Sequence, residues 1–446
     1  MGRRSHSRSL SIWTNGVRVA RWTMPTRGDM ELHYDTDWVG ADVGRPLSLS
    51  LPFNLQNQPL KGEKVFNYFD NLLPDSDAIR RRVAQRFRAQ STDPFDLLSA
   101  VGRDCVGAVQ ILGEDEVPQD VERIDGVPLS EEDIERHLIE TVSPHAFAAH
   151  RDPDADFRIS LAGAQEKTAF LWWGGQWHAP RGATPTSHIF KLPMGLVGGR
   201  RADFSTSVDN EWLCLRLLKA YGLNVADARI ARFGQQRVLV VERFDRRLAP
   251  NGQWLMRLPQ EDFCQVEGCS PLRKYENEGG PGLRALFGTL RQSIDAEADM
   301  KTVLAAQVLF WLLRAPDGHA KNFSIQLLPR GRFQLTRLYD VMSAYPVLGE
   351  GPHQWSPYDI TLAMALLGKN KHYAMHSIQR RHFSSTAQRV GYASTAEPVI
   401  EEILARTPAA IAEARADLPQ DFSPRVADAI LGGLEQAAAA LEGMAP

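Results

Sequence analysis

The chain has 446 residues, and 51 Lys and Arg against 54 Asp and Glu give a net charge of −3, so we expect two or three domains of ordinary charge balance. Apolar residues make up 43% and charged residues 24%, which excludes a disordered chain and a small disulfide-stapled scaffold. The longest nearly uncharged apolar stretch, 303–313, falls well short of the roughly 20 residues that a membrane-spanning helix needs, so no membrane span is expected.

Residues 1–115 are predicted to form an amino-terminal domain rich in β-strands. Asn15 and Gly16 stand between two short alternating runs, which indicates a hairpin. Apolar residues at helical spacing predict a helix over 65–73, and an arginine-rich helix is expected after it. The run 106–112 is predicted to be the strand that closes the domain.

Residues 116–155 are acidic and contain prolines, which predicts a linker. One helix is expected inside it, beginning at Ser130, where Asp133 completes an approximate capping box. Residues 156–260 change to short β-branched or apolar runs around one helix, 210–220, which indicates a small β-rich lobe. The predicted strands of this lobe are 158–161, 168–173, 188–192 and 237–241.

Residues 261–446 are predicted to be mostly helical. The apolar run 303–313 is expected to form a buried helix, and the Ala-rich stretch 426–441 forms a helix whose thin polar face indicates packing on the body. One hairpin is predicted, over 324–338.

The loop DGHAKN follows the apolar helix directly. Its Asp317 and Asn322 match the D-x4-N spacing of the protein-kinase catalytic loop, where the Asp accepts the proton of the attacking hydroxyl and the Asn holds magnesium. The spacing alone also fits a surface Asp-Gly turn. A second metal-binding carboxylate is expected downstream at Asp340, and two oxygen ligands suffice for Mg²⁺, which keeps several waters. His319 and Lys321 are either nucleotide contacts or structural residues of this loop.

A lysine inside an apolar strand is the candidate for binding nucleotide phosphates. Lys191 either extends to the edge of its strand or directs its ammonium at phosphates, with Glu211 as the candidate ion-pair partner. Before it, the small-residue turn 160–167 offers backbone N–H groups to phosphate but lacks the G-x-G-x-x-G and Walker patterns. A later apolar strand leads to Glu242 and Phe244, where a kinase hinge would present backbone groups to adenine.

These features occur in kinase order along the chain, and the sequence also resembles the HipA family of serine/threonine kinase toxins over nearly its whole length. The strings that carry the resemblance are RPLSLSLP (45–52), FDNLLPDS (69–76), GRDCVGAV (102–109), FRISLAGAQEKTAF (157–170), HIFKLP (188–193), VERFDRR (241–247), LPQEDFCQ (258–265), DGHAKNFS (317–324) and YDVMSAYPVLG (339–349). The resemblance implies an α+β fold with two protein-kinase-like lobes, related to the phosphoinositide kinases, and a small β-rich amino-terminal domain.

Matched position by position, the resemblance implies that Asp317 is the catalytic base and that Asn322 and Asp340 bind magnesium. It implies autophosphorylation at Ser160, although without it Ser160 would be read as a strand-end residue whose hydroxyl caps a neighbouring N–H. Pro316 departs from the small residue expected before the base, but it removes no chemical group. The nucleotide-binding candidates are Ala162, Gly163, Ala164, Gln165, Lys191, Glu242, Phe244, His319 and Lys321.

The function implied by this resemblance is an ATP- and Mg²⁺-dependent serine/threonine protein kinase that acts as the toxin of a toxin–antitoxin pair. The implied partners are a HipB-like helix-turn-helix antitoxin dimer, operator DNA bound through that complex, and an aminoacyl-tRNA synthetase as the substrate whose phosphorylation arrests growth. A catalytically silent co-repressor and a lipid kinase stay open as alternatives. The intact catalytic residues count against the first, and the lack of a basic amphipathic membrane helix counts against the second.

Surface charge and location give further expectations. Positive residues gather at 3–8 and again around 369–381, and Arg380 and Arg381 are the candidates for DNA contact, although such runs are usually only solvated faces. The first residues have positive charge but no apolar segment behind them, so we expect no secretory signal and a cytoplasmic location. The four cysteines match no zinc spacing and are expected to be reduced.

Overall fold

The computed structural model describes residues 7–142, 160–163, 165–198 and 201–446. It contains a five-stranded antiparallel sheet, a six-stranded antiparallel sheet and a carboxyl-terminal body of helices and short hairpins. The predicted α+β class is confirmed.

The amino-terminal domain is a sheet with helices on one face. Its elements are β1 (Arg8–Thr14), β2 (Val17–Met24), β3 (Glu31–Tyr34), α1 (Thr36–Gly40), β4 (Leu60–Lys61), α2 (Glu63–Asp70), α3 (Asp77–Phe87), α4 (Pro94–Val101) and β5 (Gln110–Gly113). The strand order is β4-β3-β2-β1-β5. The predicted hairpin is confirmed, because Asn15 (φ 47°) and Gly16 (φ 83°) both adopt the left-handed values of its tight turn. The helices pack on the sheet through Trp22, whose ring lies 3.8 Å from that of Phe69 and 4.9 Å from that of Phe95.

The second layer is a six-stranded sheet that carries one helix on each face. Its elements are β6 (Gly126–Pro128), α5 (Glu131–Val142), β7 (Lys167–Trp173), β8 (Gln176–Pro180), β9 (His188–Lys191), β10 (Leu196–Val197), β11 (Ala202–Asp203), α6 (Ser207–Ala220), β12 (Ala228–Phe233) and β13 (Gln236–Glu242). The strand order is β12-β13-β9-β7-β8-β6, with β10 and β11 paired separately. Of the predicted strand 158–161, residues 158 and 159 lie outside the described part of the chain, and Ser160 and Leu161 are not in a strand.

The predicted linker is only partly correct. The helix expected at Ser130 is confirmed as α5, and Asp133 N–H donates to the Ser130 hydroxyl at 3.1 Å. However, β6 pairs with β8, and α5 buries Ile134 and Leu138 against the sheet beside Phe170. Residues 126–142 therefore belong to the six-stranded layer and do not form a linker.

The carboxyl-terminal body is built around the helix that the apolar run predicted. Its elements are β14 (Arg246–Leu248), β15 (Leu255–Arg257), β16 (Gln260–Asp262), α7 (Phe263–Glu267), α8 (Leu283–Leu290), α9 (Ala296–Leu312), β17 (Ser324–Leu327), β18 (Phe333–Leu335), β19 (Thr361–Leu367), β20 (Lys371–Ala374), α10 (Arg380–Arg389), α11 (Glu397–Ala416) and α12 (Pro424–Glu442). Helix α9 is buried continuously from Val303 to Leu312, and it shares one apolar core with α6, α11 and α12. The hairpin β17–β18 is confirmed, whereas β19–β20 was not predicted.

A cluster of buried charges joins the amino-terminal domain to the rest of the chain. Asp104, only 3% exposed, is in contact with Arg243, Arg246 and Arg257 at 2.8 to 3.2 Å. Although burial opposes it, these guanidinium groups hold the pKa of Asp104 far below its usual range. Arg243 also donates to the carbonyl of Cys105 at 2.8 Å. The domain is therefore fixed by buried ion pairs to residues 243–257, which follow β13 and include β14 and β15.

Two observations on the described residues concern membrane-spanning helices and cysteines. No helix there combines the length and the apolar character that a bilayer crossing requires. All four cysteines are free thiols, three of them buried.

Candidate active site

A cleft of about 1260 Å³, including its open mouth, lies where the amino-terminal domain, the six-stranded sheet and the carboxyl-terminal body meet. The structure brings most of the predicted site residues together here, although they are widely separated in the sequence. Those that line the cleft are Ala162, Gly163, Gln165, Lys191, Glu242, Phe244, Asp317, His319, Lys321, Asn322 and Asp340. Ala164, also predicted to bind nucleotide, lies outside the described residues.

The strand lysine is paired as the sequence predicted. Lys191, at the end of β9, places Nζ 2.7 Å from Glu211 Oε1 on α6 and 2.8 Å from Asp340 Oδ1. Burial opposes its charge, but the two carboxylates raise the pKa of Lys191, so the ammonium stays charged. This places a fixed cation on the floor of the cleft.

A second lysine faces the same space. Lys167 on β7 lies directly opposite Lys191 in the sheet, and burial, together with the neighbouring ammonium, lowers the pKa of Lys167 to about 8. The turn before it passes close to this side chain, since a Cβ on Gly163 would lie 2.7 Å from Lys167 Nζ. Gly163 also has φ of +108°, a value that only glycine adopts without strain. The turn therefore adopts this conformation beside Lys167 without strain only with glycine at this position.

The D-x4-N loop follows α9 and is held by its own asparagine. Asn322 Nδ2 donates to the carbonyl of Asp317 at 2.7 Å and lies 3.5 Å from the carbonyl of Asp340. Gly318 is required inside the loop, because a Cβ there would lie 2.4 Å from the Phe310 ring. The Asp317 side chain is 38% exposed, so its carboxylate is accessible from the mouth of the cleft.

The oxygen atoms that this arrangement leaves free fit a magnesium ion. Because Asn322 turns its NH₂ group to two carbonyls, its Oδ1 faces away from them. Within the described part of the chain, neither Asn322 Oδ1 nor Asp340 Oδ2 has a hydrogen-bond partner. One amide and one carboxylate oxygen suit Mg²⁺, which binds few protein oxygens beside phosphate and water. No cluster of three His, Cys, Asp or Glu suited to a metal occurs in the described ranges.

The two other candidates of the loop are deeply buried. Lys321 Nζ donates to Asn71 Oδ1 at 2.8 Å and to Asp262 Oδ2 at 3.2 Å. Its ammonium therefore ties the loop to the amino-terminal domain, which favours the structural role for Lys321 over a direct nucleotide contact, although its side chain also lines the cleft. His319 is 3% exposed, and burial lowers its pKa, so the ring is neutral. Its Nε2 lies 3.6 Å from Asp317 Oδ1.

The predicted hinge forms an apolar wall with one available donor. The Glu242 side chain is exposed, and its backbone N–H donates to Asp227 O at 2.8 Å. Among the described residues, the N–H of Phe244 has no hydrogen-bond acceptor. The Phe244 ring lies 5.8 Å from that of Tyr339, and Val241 lines the same region. A planar heterocycle with an acceptor nitrogen fits this wall.

The turn that begins at Ser160 rests on the amino-terminal domain. Ser160 is 1% exposed, and its hydroxyl donates to Leu72 O at 2.7 Å while its N–H donates to Asp104 O at 3.1 Å. Gly163 O accepts from the Asp75 N–H at 3.1 Å. The sequence patterns did not place Asp75 or its neighbours in the cleft. The signal that could have found them is the string FDNLLPDS, which contains Asp75 and is one of the strings that carry the family resemblance.

The candidates for DNA contact differ in accessibility. Arg380 is 5% exposed, donates to Glu397 Oε2 at 2.6 Å and also pairs with Glu401. The structure therefore contradicts a surface role for Arg380, while Arg381 is exposed. In the amino-terminal charge cluster, residues 3 and 4 lie outside the described part, and Arg8 pairs with Asp96 at 2.7 Å.

Comparison with known proteins identifies the family. The HipA N-terminal domain profile matches residues 10–112, and the HipA-like C-terminal domain profile matches residues 159–411, more than half of the chain. Y4mE of Sinorhizobium fredii, named as a candidate kinase, is 33% identical over 347 residues, which are 76% of this chain and 79% of that protein. The serine/threonine-protein kinase toxin HipA of Shewanella oneidensis is 27% identical over 356 residues, which are 76% of this chain and 74% of that protein.

A solved structure shows the same fold. HipA of Shewanella oneidensis MR-1, determined in a complex with HipB and operator DNA, superposes with a TM-score of 0.77 at 22% identity and covers 97% of both chains. The two-lobed kinase-like fold with a small amino-terminal β domain, expected from the sequence, is thereby confirmed. The chain belongs to the HipA family of kinases.

Proposed function

We propose that this chain is an ATP- and Mg²⁺-dependent serine/threonine protein kinase that acts as the toxin of a toxin–antitoxin pair. The observation that carries the proposal is the convergence of a charged strand lysine, its glutamate partner, a D-x4-N loop and a later aspartate in one cleft. Lys191 and Asp340 lie 2.8 Å apart in that cleft, and Asn322 bonds to the carbonyl of Asp317.

Each residue has a role that its position supports. Asp317, accessible at the mouth, accepts the proton of the attacking serine or threonine hydroxyl. Lys191 holds the phosphates, and Asn322 and Asp340 hold the metal, which when bound neutralises charge on the phosphates. Phe244 and Glu242 border the adenine site. Ala162, Gly163 and Gln165 belong to the proposed phosphate turn, and His319 fixes the loop beside the base.

The partners follow from the family. Because the related Shewanella HipA was solved with HipB and operator DNA, we propose that this chain binds a HipB-like helix-turn-helix antitoxin dimer and, through it, operator DNA. The proposed substrate is an aminoacyl-tRNA synthetase, whose phosphorylation would arrest growth, and the proposed location of the reaction is the cytoplasm. Ser160 is the proposed site of autophosphorylation.

Incubation of the full chain with labelled ATP and a cell extract tests this function. Transfer of label to one protein, dependent on Mg²⁺ and reduced about 100- to 10,000-fold in Asp317→Asn, is the expected result for the loss of a general base. The substitution Asp227→Asn serves as the control, because the half-exposed Asp227 side chain forms ion pairs with Lys219 and Arg337 outside the cleft.

Two other results would contradict the proposal. Absence of label in any protein, with antitoxin and DNA binding intact, would favour the silent co-repressor. Label in the lipid fraction alone would favour a lipid kinase.

A further inference from the structure

The carboxylate of the proposed base has a partner that none of the sequence patterns identified. The Tyr275 hydroxyl donates to Asp317 Oδ1, and the Tyr275 ring packs edge-on against His319 with centroids 5.0 Å apart. Burial and the nearby Asp317 charge raise the pKa of Tyr275, so the phenol stays protonated and can only donate to the carboxylate. Within the described part of the chain, Asp317 Oδ2 has no hydrogen-bond or ion-pair partner.

Tyr275 is held in place by its two neighbours in the chain. On one side, Lys274 Nζ lies 2.9 Å from Asp75 Oδ2 in the amino-terminal domain. On the other side, the Glu276 carboxylate accepts from Ala365 N–H at 2.7 Å and from Lys371 Nζ at 2.7 Å in the carboxyl-terminal body. The hydroxyl therefore approaches Asp317 from a segment that is anchored to two parts of the molecule.

We propose that Tyr275 is a positioning residue for Asp317: its hydroxyl engages Oδ1 and leaves Oδ2 directed at the incoming substrate hydroxyl. The proposal rests on the proposed function, in which Asp317 accepts the substrate proton. A carboxylate that is partly exposed, as that of Asp317 is, rotates freely about its last bond, and one fixed donor restricts that rotation before the substrate arrives. Reaction rates depend steeply on such orientation.

The opposite interpretation is that the hydrogen bond blocks the base until the substrate displaces it. The two interpretations predict opposite changes in the rate of phosphoryl transfer. Removal of the hydroxyl should slow phosphoryl transfer if Tyr275 positions the base, and should accelerate it if Tyr275 occludes the base.

A double-mutant cycle with Tyr275→Phe and Asp317→Asn in the full chain tests the proposal. Phenylalanine keeps the ring against His319 and removes only the donor. We expect Tyr275→Phe to lower kcat about 10-fold with KM for ATP unchanged, and to have no further effect in the Asp317→Asn background, where the carboxylate is absent. Tyr221→Phe is the matched control, since the Tyr221 hydroxyl also bonds to one side chain, Thr407 Oγ1 at 2.8 Å, outside the cleft. It should leave kcat unchanged.

The possible results separate the two proposals. Turnover of Asp317→Asn near that of the natural sequence would overturn the proposed function and the role of Tyr275 with it. If Asp317→Asn is slow as expected, an unchanged or raised kcat in Tyr275→Phe would overturn the positioning role alone. An equal fall of kcat in both backgrounds would also overturn it, because the hydroxyl would then act independently of the carboxylate.

Discussion

The Lys191 ammonium lies 2.8 Å from Asp340 Oδ1, and this ion pair connects the six-stranded sheet to the carboxyl-terminal body across the floor of the cleft. Lys191 is also bonded to Glu211, so removal of the Asp340 charge leaves the lysine paired and the fold intact. We expect Asp340→Asn to weaken Mg²⁺-dependent nucleotide binding at least about tenfold, because one anionic ligand is lost.

Calorimetric titration of nucleotide at several magnesium concentrations measures this effect. Asp299→Asn is a suitable control, since the Asp299 carboxylate accepts from the Leu335 N–H at 2.9 Å, away from the cleft. A magnesium dependence of Asp340→Asn that matches the natural sequence would remove Asp340 from the metal site.

Phosphorylation of Ser160 should expel its turn from the cleft. The hydroxyl and N–H of Ser160 both donate to backbone carbonyls, those of Leu72 and Asp104. A phosphate on Ser160 adds about −1.5 to −2 charge and removes the hydroxyl hydrogen that Leu72 O accepts. The negative phosphate oxygens would then face carbonyl oxygens, which repel them. We expect prolonged incubation with ATP and Mg²⁺ to produce a Ser160-phosphorylated form with little activity and faster amide exchange at residues 71–75.

Mass spectrometry of the incubated protein decides this prediction. Ser160→Ala should stay unmodified at position 160 and lose about 1 kcal/mol of stability through the lost buried hydrogen bond. Ser48→Ala is a control for the loss of a buried serine hydroxyl outside this turn, because Ser48 Oγ lies within bonding distance of Gln265 O at 3.1 Å and of Ser50 Oγ at 2.8 Å. Full activity of the phosphorylated form would show that the turn tolerates the charge.

We expect substitution of Arg380 to lower stability and substitution of Arg381 to affect only DNA binding. Arg380→Ala removes a buried guanidinium from Glu397 and Glu401, and we expect a loss of about 1–3 kcal/mol in the free energy of unfolding. Arg381 is exposed, so Arg381→Ala should leave stability unchanged. If it faces a phosphate, the salt slope of operator binding by the antitoxin complex should fall by about one. An unchanged slope in Arg381→Ala would exclude that contact.

Glu261 should make stability depend on pH. The residue is fully buried between β16 and the amino-terminal domain, where Oε1 accepts from the Leu49 N–H at 2.9 Å. Burial raises the pKa of Glu261 from its usual 4.5 to about 8. The folded state therefore keeps a proton that the unfolded chain releases, so the stabilisation is complete below about pH 4.5 and is lost as the pH rises to about 8.

Urea unfolding between pH 5 and pH 8 measures this loss, which we expect to be a few kcal/mol. Glu261→Gln should flatten the dependence, since glutamine stays neutral, whereas the exposed control Glu63→Gln should not. An equally steep fall in Glu261→Gln would assign the dependence to other groups.

The sequence predicted those parts of the site that lie in local patterns. Lys191 in its strand, Glu211 in the next helix and the D-x4-N loop each carry a short-range signal, and the structure brings them together. The contribution of the amino-terminal domain was missed because it depends on distant pairs. Lys321 and Asn71 are separated by 250 positions, and no periodicity links them.

Strands β6 and β19 were not predicted, for two different physical reasons. Strand β6 has three residues, too few for alternation to be visible, so its acidic surroundings were interpreted as a linker. Strand β19 reads TLAMALL, an apolar run that periodicity cannot distinguish from a buried helix segment. Helix α4 was also not predicted, although its sequence carries a start signal. Asp93 followed by Pro94 is typical of an amino-terminal helix cap.

The buried cluster around Asp104 also has a consequence for the order of synthesis. Arg243 follows Asp104 by 139 positions, which at 5–20 residues per second corresponds to roughly 7 to 30 seconds of translation. During that interval the Asp104 carboxylate has none of its three arginine partners, and the Asn71 carbonyl lacks Lys321 for longer still, since 250 positions separate them. The growing chain therefore cannot close its cleft until Lys321 has been synthesised.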